Sequence, residues 1–212
     1  MTRPTFLYKY RKDEPNSLDA LFSCKAIFSG RKAFNDPFDA RVELVEPTLN
    51  ELAHIDFVNR VSMNPDTRGT PRFVERNTLT KKGGTFLRKL CEVAENLIDS
   101  YRFLCLSANP TSTPMWAHYA SNHTGFVIEF KSEFVFGDKV VYRDEITGIP
   151  LANFLADQRH PQIGIDIWEA LRTKHTSWSY EEEYRIQPSN QMHARMIAIN
   201  AQNHSAKYEP EW

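Results

Sequence analysis

The sequence predicts an α+β fold: one domain over residues 1–187, with a small mixed or split β-sheet and helices inserted between its strands. Strand-like runs stand singly or as one late pair, mixed with helical stripes, which is the pattern of this class. With 4 Trp, 8 Tyr and 14 Phe among 212 residues, the chain is far too aromatic to be disordered. A length of this order buries roughly 70% of the unfolded surface without disulfide help. No apolar stretch approaches the roughly 20 residues that cross a bilayer. The N-terminus has neither an apolar signal core nor a small-residue cleavage site, so a cytoplasmic protein with no membrane contact is expected.

In chain order, residues 6–10 alternate aromatic and other side chains as a strand. A short helix from Ser17 is expected to bury Leu18, Leu21 and Phe22, and a second strand to cover 26–28. In Phe34-Asn35-Asp36-Pro37-Phe38-Asp39, Pro37 holds the preceding residue away from helix, so this turn should be rigid and irregular. Thr48 and Glu51 form a capping box opening a helix whose stripe is Leu49, Leu52, Ile55 and Val58. Residues 60–84 read as an exposed basic excursion. Phe86, Leu90, Val93, Ala94, Leu97 and Tyr101 then mark a helix from Thr85. Further on come a strand at 103–106, a short helix at 115–120, strands at 126–130 and 140–142, helical pieces at 151–158 and 165–174, and a strand at 183–186. Residues 188–212 are weakly patterned and form a C-terminal extension.

The net charge of -1 hides a cancellation. Residues 1–106 carry 17 Lys/Arg against 14 Asp/Glu, and the remainder carry 9 against 13. The excess peaks over 60–89, with eight basic and two acidic residues, a segment suited to phosphates or an acidic partner. Cys24, Cys91 and Cys105 form no C-x-x-C pair and read as small apolar residues.

Two constellations could carry chemistry. In Trp178-Ser179-Tyr180-Glu181-Glu182-Glu183-Tyr184-Arg185, strand alternation would point Glu181, Glu183 and Arg185 one way and Glu182 and Tyr184 the other. Paired carboxylates raise each other's pKa, and a neighbouring arginine restores the charged form. The alternative is an exposed edge with an ion pair. In Met115-Trp116-Ala117-His118-Tyr119, Trp116 and Tyr119 share a helix face, either packed on the sheet or walling a planar heterocycle beside His118. His118 and His123 lack a third ligand, so no metal site is expected there. Neither a phosphate-binding glycine loop nor a G-x-S-x-G elbow occurs.

The ordered set Leu7-Tyr8-Lys9-Tyr10-Arg11, Phe34 to Asp39, Met115 to Ala120, Gly125-Phe126-Val127-Ile128-Glu129-Phe130 and Trp178 to Arg185 resembles a large bacterial family of unknown function, over about 6–187. The chain also resembles the ADP-ribosyltransferase superfamily. Tyr10 or Arg11 follows the first strand, Ser29 follows the second, and Glu181 with Glu183 supplies the late Glu-x-Glu. That resemblance implies an ADP-ribosyltransferase-like fold and an NAD-consuming transferase or NAD glycohydrolase, of the kind that serves as a toxin or defence effector, with a protein or nucleic-acid acceptor. It implies that Glu183 stabilises the oxocarbenium-like state while Glu181 orients or activates the acceptor, with Tyr10 as a further catalytic residue. Arg11 or Lys9 would hold the pyrophosphate. Trp116 or Tyr119 would face a ring of NAD beside His118, with Ser29, Asn35, Asp36 and Arg185 completing the pocket. Two other functions fit the residues: a non-enzymatic nucleic-acid- or protein-binding module using 60–89, and a metal-dependent hydrolase or nuclease using Glu181 and Glu183.

Overall fold

A computed structural model describes residues 3–23, 26–34, 36, 38–63, 72–155 and 161–188. The elements in chain order are β1 (Phe6–Arg11), α1 (Pro15–Phe22), β2 (Glu43–Val45), α2 (Leu49–Met63), β3 (Val74–Glu75), β4 (Thr78–Leu79) and α3 (Lys81–Ser100). They continue as β5 (Leu104–Ser107), α4 (Thr113–Tyr119), β6 (Phe126–Lys131), β7 (Asp138–Lys139), β8 (Val141–Arg143), β9 (Gly148–Pro150), α5 (Pro161–Leu171), β10 (Thr173–His175) and β11 (Glu183–Ile186). The class is α+β, with several small sheets among the helices. Chain contacts divide it into two compact units, 1–40 with 101–145 and 172–212, and 41–100 with 146–171. Among the described residues, no helix is long and apolar enough to cross a membrane.

The first unit is built on a five-stranded sheet in the order β6-β1-β5-β11-β7, every pairing antiparallel. Alternation along β5 and β11 divides its faces. Leu104, Leu106 and Ile186 point into a core completed by Leu7, Phe130 and Val135. Each such side chain contributes about 1.5–3 kcal/mol on leaving water. On the other face Ser107 lies opposite Glu183, and Cys105 opposite Arg185. Around Tyr10, a second cluster gathers Met115 and Ala120 with the rings of Trp116, Tyr119 and Tyr180.

Helix α1 starts at Pro15, whose missing N–H costs nothing in a first turn. It buries Ser17 and Ala20 and leaves Phe22 73% exposed, so the face expected from Leu18, Leu21 and Phe22 is not the buried one. Small residues win because they let the helix approach closely. The strand expected at 26–28 is reduced to a single bridge between Ser29 and Phe103. The strand expected at 140–142 is broken at Val140 into β7 and β8, which join different sheets.

Gly125, at the entry to β6, is tightly enclosed: a Cβ there would lie 2.2 Å from the Arg11 carbonyl oxygen and 2.9 Å from the Ala120 Cα. Both obstacles are backbone, so neither can rotate away. Gly125→Ala should therefore cost about 1–3 kcal/mol, read as a lower urea midpoint at unchanged slope.

In the second unit, the Thr48–Glu51 capping box forms as expected. The Thr48 N–H donates to Glu51 Oε2 at 2.7 Å, and the Glu51 N–H to Thr48 Oγ1 at 3.3 Å. The buried face of α2 carries Leu52 and Asp56, whereas Leu49 and Val58 are exposed. A hairpin of β3 and β4 turns through Arg76 and Asn77 in left-handed conformation. Lys81-Lys82-Gly83-Gly84, expected within the basic excursion and before the helix, is the first turn of α3. Thr80 caps it by accepting from the Gly83 N–H at 3.1 Å, and Gly83 permits contact with the Phe73 backbone. The buried stripe of α3 is Leu87, Leu90, Ala94 and Ile98, and Val93 is exposed. Within the basic segment, Arg72, Arg76, Lys81, Lys82, Arg88 and Lys89 are all exposed. Its residues 64–71, the end of the C-terminal extension at 189–212, Cys24, Asn35 and Pro37 lie outside the described residues.

Candidate functional site

Charged side chains converge on the β5/β11 face of the first unit. A 3₁₀ turn over Thr176–Glu181 ends at Glu182, whose left-handed backbone (φ 44°, ψ 48°) redirects the chain into β11. Two bonds pin this corner to β5: Ser107 Oγ donates to the Glu181 carbonyl at 2.6 Å, and the Ala108 N–H to the Glu182 carbonyl at 3.0 Å. Glu181 thus precedes the strand instead of lying in it. It is nonetheless buried with Glu183 and Arg185, whereas Glu182 is exposed and accepts from Asn109 Nδ2 at 3.3 Å.

Lys174 joins them from β10, a three-residue strand that pairs in parallel with β8 and sets Lys174 opposite Tyr142. Its Nζ lies 2.6 Å from Glu181 Oε2, 3.0 Å from Asp39 Oδ2 and 3.2 Å from Glu183 Oε2. Arg185, fully buried, donates through Nε to Glu183 Oε1 at 2.8 Å and through a terminal nitrogen to Asp39 Oδ1. Tyr119 donates to Glu181 Oε1 at 2.8 Å, and the Glu183 N–H donates to the Tyr142 hydroxyl at 2.9 Å. Three buried carboxylates therefore share two buried cations, and the hydrogen bonds among them offset the large cost of taking these charges out of water.

The two glutamates respond differently. Burial would raise the Glu183 carboxyl, but the Arg185 guanidinium and then the Lys174 ammonium overcome it and hold Glu183 ionised, well below the usual carboxylate range. Glu181 is pushed up to about 6, chiefly by burial; Lys174 opposes the rise and Glu183 adds to it. Burial lowers the pKa of the Lys174 ammonium, yet Glu183, Asp39 and Glu181 outweigh it and keep Lys174 charged. Burial also raises the Tyr119 hydroxyl and the Cys105 thiol, so both stay protonated.

Beside the cluster is a cavity of about 310 Å³, lined wholly by residues of the first unit. That volume is at the lower end of small-molecule pockets. Glu181, Glu183, Lys174 and Asp39 contribute its charged wall; Tyr10, Phe34, Phe103, His118 and Tyr119 supply ring surface. Lys9 also lines it, with its Nζ donating to the Cys105 carbonyl at 2.8 Å, and burial lowers the pKa of that ammonium.

Of the residues singled out from sequence, Glu181, Glu183, Tyr10, Lys9, Ser29, His118 and Tyr119 line this cavity. Four described ones do not. Arg185 lies behind Glu183 as its counter-ion. Trp116 packs edge-on against the Tyr10 ring, centroids 5.4 Å apart, and donates to the Pro110 carbonyl at 2.9 Å. Asp36 accepts from the Phe38 N–H at 2.8 Å, which shapes the turn that presents Asp39. Arg11, at the end of β1, is half-buried with its Nε unpartnered. Sequence reading missed Lys174 and Asp39 as site residues. The sequence predicts Lys174 at the end of a helix over 165–174, but α5 stops at Leu171 and the next residues turn into β10. The only hint of this was the β-branched pair Thr173 and Thr176.

Neither a curated protein nor a solved structure matches the chain significantly. Residues 115–186, which hold Tyr119, Lys174, Glu181, Glu183 and Arg185 but neither N-terminal motif, match the family described as "Protein of unknown function (DUF2971)".

Proposed function

We propose that the first unit is an NAD-consuming enzyme, an ADP-ribosyltransferase or NAD glycohydrolase, whose chemistry occupies this cavity. One observation carries the reading: two carboxylates with opposite protonation tendencies share one wall of a ring-lined pocket. Divergent pKa values in an adjacent pair are how acid–base roles are divided. Glu183, kept ionised by Arg185 and Lys174, is suited to hydrogen-bond the ribose hydroxyl and stabilise positive charge as nicotinamide leaves. Glu183 accepts from Arg185 at 2.8 and 3.4 Å, from Lys174 at 3.2 Å and from the Cys105 thiol, so a substrate hydroxyl would replace one of the longer of these contacts. Glu181, poised near neutrality, is suited to take the proton of the incoming acceptor. Lys9 and Lys12 line the cavity on the β1 side, where a phosphate could be met, and Tyr10, His118 and Tyr119 offer ring surface to a planar ring. Lys174 Nζ sits at the meeting point of Asp39, Glu181 and Glu183, where a divalent cation would have to displace it. This favours the NAD reading over a metal-dependent hydrolase.

The test is nicotinamide release from NAD by the purified chain, with water and then with candidate acceptors supplied. The rate should climb as pH rises through about 6, because Glu181 must lose its proton to act as base. Glu181→Gln should lose that limb and fall about 10²–10⁴-fold in rate. A wild-type chain that neither binds NAD nor releases nicotinamide would sink the proposal.

A further inference from the structure

Beside the cavity, His118, Trp178 and Tyr180 form a ring cluster, of which Tyr180 also packs against the Tyr10 cluster. The His118 and Tyr180 rings lie 6.4 Å apart at 30°, His118 and Trp178 6.1 Å apart, and Trp178 and Tyr180 5.9 Å apart. His118 is exposed, and the other two are half-buried. Among the described residues, the Trp178 indole N–H, the Tyr180 hydroxyl and the His118 ring nitrogens make no hydrogen bond. Rings this exposed keep faces and polar edges open to solvent, and so to a ligand.

Their position is specific. Tyr180 immediately precedes Glu181, and His118 immediately precedes Tyr119, whose hydroxyl holds Glu181 Oε1 at 2.8 Å. His118 also lines the cavity. The rings therefore flank the carboxylate assigned to the acceptor. Lys174 Nζ stands 5.0 Å from the centre of the Trp178 ring, so that ring already has a cation over it. A neutral planar ring with polar edges suits both the faces and the unspent donors and acceptors.

Resting on the NAD reading above, we infer that His118, Trp178 and Tyr180 form an acceptor subsite for a nucleobase, making the base the group that is ADP-ribosylated. In that transfer the bond between ribose C1 and the nicotinamide nitrogen breaks, its electron pair leaving with nicotinamide. A lone pair of a base nitrogen forms the new bond to C1, and the proton from that nitrogen passes to the Glu181 carboxylate. Nicotinamide, the ADP-ribosylated base and one proton are the products.

Binding can be tested without turnover, using the full chain carrying Glu183→Gln and equilibrium dialysis. The probes are the four deoxynucleosides and a short single-stranded oligonucleotide, with free ribose and arginine as controls. At least one nucleoside should bind, and Trp178→Ala should weaken it roughly tenfold, the scale of one lost stacking partner. Trp178→Phe, which keeps a ring face, should retain most of the affinity. Tighter binding of the oligonucleotide than of any nucleoside would assign the base to a strand; equal binding would assign it to a free nucleoside. The inference is overturned if no nucleoside binds, if ribose or arginine binds as well as the nucleosides do, or if Trp178→Ala leaves affinity unchanged. Nucleoside binding without nicotinamide release by the wild type would refute the NAD reading alone. Nicotinamide release without nucleoside binding would refute the base subsite alone.

Discussion

Glu183→Gln is expected to lower nicotinamide release about 10³-fold, the scale on which a preorganised electrostatic group contributes to a charged transition state. The substitution is nearly isosteric, and the partners of Glu183 keep other contacts. Arg185 retains Asp39, and Lys174 retains Asp39 and Glu181 at 3.0 and 2.6 Å. The variant should therefore fold, and the loss should fall on the chemical step, lowering kcat with little change in KM. Glu183→Asp keeps the charge but retracts it by one methylene, so it should recover only part of the rate. If Glu183→Gln releases nicotinamide within a few-fold of wild type while remaining folded, Glu183 is not the stabilising carboxylate. The site would then need a different chemistry. Glu181→Gln is the internal comparison, since loss of a base should also abolish the acidic limb of the pH profile.

The parts of this site that could be read from the sequence are those fixed by local periodicity. The aromatic alternation of 6–10 is β1, and the apolar runs at 103–106 and 126–130 are β5 and β6 within a residue or so. Strand alternation correctly grouped Glu183 with Arg185, because that period survives any tertiary context. Glu181 was grouped correctly for a partly different reason: the left-handed Glu182, not continued strand, swings it to the same side. What could not be read came from long-range pairing. Lys174 reaches the carboxylates because β10 pairs with β8 about 30 residues away, a contact with no local signature. Asp39 was visible only as the last residue of a turn motif, and nothing nearby in sequence marks it as the partner of Arg185. The helix faces of α1 and α2 were misjudged because apolar spacing was used as a proxy for burial. Small Ser17 and Ala20, and polar Asp56, occupy the packed side instead.

Lys174 is also where the fold and the site depend most on each other. Replacing it with Met keeps the bulk of the side chain but removes the ammonium that Asp39, Glu181 and Glu183 share, leaving those three buried carboxylates with Arg185. Uncompensated buried charge is costly, and removing one partner of such a group typically loses 3–5 kcal/mol, so about that loss is expected here. For a chain of this size it corresponds to a melting temperature lower by roughly 6–20 °C. The pH dependence supplies a sharper check. Without Lys174, at least one carboxyl should have a folded-state pKa well above its unfolded value. A raised carboxyl costs stability in full above its folded pKa; the cost shrinks as pH falls below that value and is gone only below the unfolded pKa, where both states are protonated. The gap between Lys174→Met and wild type should therefore narrow on moving from pH 8 towards pH 5, opposite to ordinary acid destabilisation. Adding Glu181→Gln removes one of the competing negative charges, and the double variant should recover about 1–3 kcal/mol of the single loss as a coupling energy. A melting temperature for Lys174→Met equal to that of wild type would mean that the carboxylates do not depend on this ammonium. Strict additivity with Glu181→Gln would mean that the 2.6 Å contact between Lys174 and Glu181 carries no energy of its own.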